Sequence, residues 1–160
     1  MLEIAQRELP GKPSLLGFDI VTFSAEWPES VTSKRFDAVT STMAIHHAED
    51  KLQLFQQVYR VLKPGGFFVN GDHVAGAFPT GQYLVGRERA LESLGRDGCV
   101  EPGRIAEQIQ LDERKQRAEG NRCESVAQYG IYLAACGFED VECLWQDHWL
   151  AVLVAHKPAT

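Results

Sequence analysis

The chain has 160 residues, 44% of them hydrophobic and 24% charged, with a formal net charge of −6. That balance fits one soluble globular domain with a sizeable core. Its acidity counts against a dedicated nucleic-acid or anionic-membrane binder, whose footprint is basic. The densest basic run, Arg114-Lys115-Gln116-Arg117, is diluted by Glu113 and Glu119 and reads as a solvated helix face. Cys99, Cys123, Cys136 and Cys143 show no CxxC spacing. The N-terminus carries Glu3 and no apolar signal core, and no apolar run approaches the ~18–20 residues of a membrane span. The expectation is a cytoplasmic protein with reduced thiols and no membrane contact.

In chain order, residues 1–9 place Leu2, Ala5 and Leu9 on one helical face, and Pro10-Gly11 ends the helix. Residues 15–20 read as a short strand, and polar residues 22–34, with Pro28, as mostly loop. Residues 36–41 form a strand whose apolar character predicts burial on both faces. A helix follows over 50–62, with Leu52, Phe55, Tyr59 and Leu62 as its stripe and Asp50 and Gln53 at capping-box spacing. Pro64 stops it, and Gly65-Gly66 lets the chain turn back into the Phe67-Phe68-Val69 strand. Strand, helix and strand make a βαβ unit, so parallel pairing is expected.

Residues 77–122 are polar and lean helical, over 83–94 and 102–117, with breaks at Gly95, Gly98 and Gly103. They read as an insertion between strands that could cover a site. Ser125 and Gln128 cap another helix over 125–136; Val126, Tyr129 and Leu133 line one face, and Gly137 follows its end. Strands over 138–144 and 149–155, joined through Gln146-Asp147-His148, make a closing antiparallel hairpin.

The combination Phe36-Asp37-Ala38-Val39, His46-His47 and Tyr59-Arg60-Val61-Leu62-Lys63-Pro64-Gly65-Gly66, followed by Ala135-Cys136-Gly137-Phe138-Glu139-Asp140-Val141, resembles the second half of the class I S-adenosylmethionine (SAM)-dependent methyltransferases. The resemblance implies an α/β, partial Rossmann-like sheet: strands 3 to 7 of a seven-strand pattern ordered 3-2-1-4-5-7-6, with a helical insertion at 77–122. The closing hairpin argues against an ordinary dinucleotide-binding half domain.

The resemblance also implies site residues. Asp19 corresponds to the acidic residue that accepts from the adenine amino group, with Ile20 flanking the ring. Ser41, Thr42 and Met43, at the carboxyl end of the 36–41 strand, correspond to further cofactor contacts, where an open α/β sheet binds its ligands. His47 is the candidate catalytic residue. Asp72 and His73, on the same edge, and Tyr83 and Arg87, in the insertion, are candidates to face substrate. Adjacent His46 and His47 lack the spacing of a metal pair, so no metal site is expected.

SAM itself carries the reactive methyl, so the protein mainly aligns a nucleophile. The Asn-Pro-Pro-Tyr and Pro-Cys motifs of DNA methylation are absent. With the acidic charge, this favours a small-molecule acceptor over nucleic acid. The family's Gly-rich cofactor loop and first two strands find no match before residue 15, so the sequence reads as a single incomplete domain over 1–160, a fragment. Its 36–41 strand would then have an open edge able to self-associate. The leading reading is a SAM-dependent methyltransferase whose activity alone is in question. The alternative is a non-catalytic remnant of that fold acting as an interaction or oligomerisation module.

Overall fold

The computed structural model describes residue 7, residues 27–95 and residues 101–159. The expected 1–9 helix, apart from Arg7, and the 15–20 strand with Asp19 and Ile20 lie outside these residues. The described chain opens with a short helix α1 (Glu29–Thr32), then strand β1 (Phe36–Thr42), a 3-10 turn (Ile45–His47), helix α2 (Lys51–Val61) and strand β2 (Leu62–His73). Helices α3 (Pro79–Leu94) and α4 (Pro102–Ala118) follow. Helix α5 (Val126–Ala135) leads into strands β3 (Glu139–Asp147) and β4 (Leu150–His156).

The sheet order is β1-β2-β4-β3. β1 pairs parallel to β2, and β4 runs antiparallel to both β2 and β3. This is the 4-5-7-6 half of the order that the resemblance implies.

Both capped helices begin where local chemistry places them. Gln53 donates its backbone N–H to Asp50 Oδ1 at 2.8 Å, and Gln128 donates its own to Ser125 Oγ at 3.1 Å. The stripe of α2 is rotated from the expected one. Leu54, Phe55, Val58 and Val61 are buried, whereas Leu52 and Tyr59 are half-buried. The helix offers apolar residues around much of its circumference, and docking on the sheet selects the face. Phe55 meets Phe68 and Tyr129, with ring centroids at 5.7 and 6.1 Å, joining α2, β2 and α5 in one core. Fully burying a residue such as Phe55 stabilises the fold by about 1.5–3 kcal/mol.

The Lys-Pro-Gly-Gly stop is built into the start of β2. A Cβ on Gly66 would lie 2.9 Å from the Lys63 carbonyl oxygen and 3.0 Å from that of Asp37, so only glycine lets β1 approach here. Lys157 then closes the end of α2, donating from Nζ to the carbonyls of Tyr59 and Leu62 at 2.8 and 2.9 Å.

Two expectations are corrected. β1 is half-buried at Phe36, Val39 and Ser41 and exposed at its other positions, so it is not buried on both faces. Among the described residues only one side of the sheet carries α2 and α5, and Val39 packs toward that core. The hairpin turn sits at His148-Trp149, because Asp147 still pairs with Leu150; His148 takes a left-handed backbone, φ 49°. No helix among the described residues is long and apolar enough to cross a membrane.

Candidate active site

Side chains alternate along β2, so Phe68, Asn70 and Asp72 share one face, and all three are buried. This alternation carries Asp72 inward at the carboxyl end of the strand. The 3-10 turn after β1 brings His46 over the same point. His46 Nδ1 and Asp72 Oδ1 lie 2.5 Å apart, and the two side chains are 5% and 1% exposed. The second carboxylate oxygen accepts from the His46 backbone N–H at 2.9 Å, and the His73 N–H donates to the first at 2.8 Å.

Burial pushes the Asp72 carboxyl upward. The hydrogen bond and charge of His46, with the backbone donors, outweigh it and hold the group below the usual carboxylate range. With Nδ1 committed to the carboxylate, Nε2 is the ring nitrogen left for chemistry.

His46 stands between two other imidazoles, with ring centroids 4.0 Å from His47 and 4.8 Å from His73. Burial and the neighbouring His46 lower the basicity of His47, while Asp72 and Glu119 partly offset this. Burial, His46 and Arg89 lower that of His73. A cavity of about 520 Å³ opens here, lined by Met43, His46, His47, His73, Gln116, Glu119 and Asn121. It lies outside the carboxyl ends of β1 and β2, where an open α/β sheet binds ligands.

The far wall comes from the end of α4, and it is stapled to the histidine turn. Arg122 donates its backbone N–H to the His46 carbonyl at 2.7 Å, and its guanidinium meets Glu49 at 2.7 Å. Ala75 donates its N–H to the Glu124 carbonyl at 2.9 Å, tying the same segment to the exit of β2. The insertion expected over 77–122 is thus two helices, and the second one reaches the site.

The expected site residues divide. Met43, His47 and His73 line the cavity together with His46. Asp72 is buried against His46 rather than open to a substrate. Tyr83 is exposed and Arg87 pairs with Glu88 at 2.7 Å; neither lines the cavity. Gln116, Glu119 and Asn121 carry no motif, and only the folding of α4 back to the turn reveals them. For Asp72, the alternation of Phe68, Asn70 and Asp72 was the available signal. No group of three or more His, Cys, Asp or Glu able to hold a metal occurs among the described residues.

The edge offers features that suit a polar cofactor. Ser41 Oγ is buried and finds no hydrogen-bond partner among the described residues. Met43 adopts φ 53°, turning the chain off the strand, with its N–H held by the Gly71 carbonyl at 2.9 Å. An orphaned hydroxyl at a strand end is a donor and acceptor awaiting a partner.

Residues 1–70 match a family model described as a methyltransferase domain. The SAM-dependent methyltransferase SibL superposes with a TM-score of 0.57 at 17% identity, over 98% of this chain and 39% of that one. The described residues share the fold of these SAM-dependent methyltransferases. Human N-acetylserotonin methyltransferase, in its complex with SAM, gives a TM-score of 0.53 at 15% identity, over 94% of this chain and 35% of its own. PigF with S-adenosylhomocysteine (SAH) gives 0.51 at 16%, over 87% and 33%. The chain spans 33–39% of the length of each of these proteins. No curated protein matches the sequence.

Proposed function

We propose that this chain contributes to the active site of a SAM-dependent methyltransferase acting on a small-molecule acceptor. The observation that carries the reading is the His46–Asp72 pair beside a cavity at the carboxyl edge of a class I methyltransferase sheet. When bound, SAM supplies an activated methyl group on a sulfonium. Ser41, Thr42 and Met43 would hold it at the strand edge, with Asp19 and Ile20 the corresponding contacts outside the described residues.

A neutral acceptor hydroxyl or an ammonium must lose a proton before it becomes a good nucleophile. We assign that proton to His46 Nε2 rather than to His47. Asp72 fixes the Nδ1–H tautomer of His46 and stabilises the imidazolium once the proton arrives. His47 and His73, whose burial favours their neutral forms, border the cavity without adding positive charge that would oppose this transfer. The stapled wall of α4 borders one side of the site.

Calorimetric titration of the folded 160-residue chain with SAM and with SAH tests the reading. The expected result is a dissociation constant of about 10–50 µM for SAH, worth roughly 6–7 kcal/mol. Absence of binding by a folded sample would overturn the claim that this chain holds the cofactor.

A further inference from the structure

Resting on that methyltransferase reading, we propose that the acceptor bound in the His46–His47–His73 cavity carries a protonated amine, held by Glu119. Among the described residues lining the cavity, Glu119 is the only carboxylate, and no lysine or arginine lines it. An acceptor bearing a carboxylate or phosphate would meet no lysine or arginine among the described lining residues. An ammonium would meet Glu119 together with the amide side chains of Gln116 and Asn121.

The described cations nearby have other partners, although the charge of Arg89 still reaches His73. Arg122 is paired with Glu49 at 2.7 Å, Lys51 donates to the Ala48 carbonyl at 3.0 Å, and Arg89 lies over the Trp149 ring at 5.4 Å. Lys115 approaches Glu119 only to 3.9 Å and is 71% exposed, a pairing of the kind worth little in water. Asn121 Nδ2 reaches Glu119 Oε2 at 3.4 Å while it donates to Gln116 Oε1 at 2.7 Å, which holds the acidic wall in place.

Two further features point the same way. Glu119 is the residue on which α4 ends, so the partial negative charge of the helix C-terminus adds to its own. Its field also reaches His47, whose proton affinity it raises against the opposing effects of burial and His46. The acidic wall and the imidazoles therefore face a shared space.

The test titrates the 160-residue chain with 2-phenylethylamine, 2-phenylethanol and phenylacetate, following the imidazole NMR signals of His47 and His73. Three of the same size of probe differ only in charge at the tip. The amine is expected to bind most tightly and phenylacetate least. Glu119→Gln should weaken the amine about threefold, to the level of the alcohol, as befits a half-exposed charge pair. Glu113→Gln, on the same helix but paired with Arg117 at 3.6 Å, should change nothing. Phenylacetate binding as well as the amine, no amine binding, or an unchanged affinity in Glu119→Gln would each overturn the proposal. SAH binding, measured in the same samples, separates the two readings. Retained SAH binding without amine preference removes only the amine proposal. Lost SAH binding with amine preference intact removes the methyl-transfer reading and leaves the cation site standing.

Discussion

The carboxylate of Asp72 receives His46 twice, from the ring at 2.5 Å and from the backbone at 2.9 Å. One side chain therefore sets both where the imidazole sits and which nitrogen holds its proton. Asp72→Asn keeps the shape but removes the charge. The expected outcome is loss of the Nδ1–H tautomer, read by imidazole nitrogen NMR, with stability lower by about 1–3 kcal/mol in urea unfolding. In a preparation that turns over, His46→Asn should cost about 10²–10⁴-fold in turnover with SAH affinity unchanged. His47→Asn should cost far less. Equal losses in the two variants would place the base on neither.

Acidification should weaken the fold in two separate windows. His47 and His73 both have folded-state values below their unfolded value of about 6.5. The fold therefore favours their neutral forms, and the associated stability is complete above pH ~6.5 and is lost as pH falls from there through the lower folded-state values. Asp72, also lowered, adds a second loss below about pH 4. Urea midpoints at pH 7.5 and 5.5 should differ, and His73→Gln should shrink the difference. A flat profile between those two values would contradict the burial of these rings.

Ser41→Ala removes a hydroxyl that no described residue satisfies. The urea midpoint should stay the same or rise slightly, since no described residue loses a partner. SAH affinity should fall about three- to tenfold if the hydroxyl meets the cofactor, the worth of one hydrogen bond. An unchanged SAH affinity would remove Ser41 from the site.

The exit of β2 depends on backbone meeting backbone. A Cβ on Gly76 would lie 2.2 Å from the Gly81 carbonyl carbon and 2.3 Å from the Gln82 nitrogen, neither of which can swing away as a side chain would. Gly76→Ala should therefore displace the start of α3 and cost about 1–3 kcal/mol. Gly130→Ala, inside α5 with open space around it, should instead stabilise by about 0.5–1 kcal/mol. Thermal midpoints of the two variants should move in opposite directions.

What the sequence disclosed depended on range. The helix starts at Asp50 and Ser125 were legible because a cap uses a partner three residues away. The parallel β1–β2 unit followed from the spacing of strand, helix and stop. The His46–Asp72 pair was not legible, because its two members lie on different elements, 26 positions apart in the chain. The wall formed by Gln116, Glu119 and Asn121 was hidden for the same reason: its placement comes from the Arg122 contacts to His46 and Glu49. Tyr83, a candidate for a lid from its place in the insertion, has its own side chain 57% exposed.

His46 belongs to the turn that leaves β1, and Asp72 to the last stretch of β2, so their contact exists only while those neighbouring strands are in register. The proton on His46 Nδ1 is therefore a reporter of sheet assembly. A single imidazole resonance would follow the closing of the βαβ unit during refolding, because the ring finds its carboxylate partner only in the event that completes the sheet.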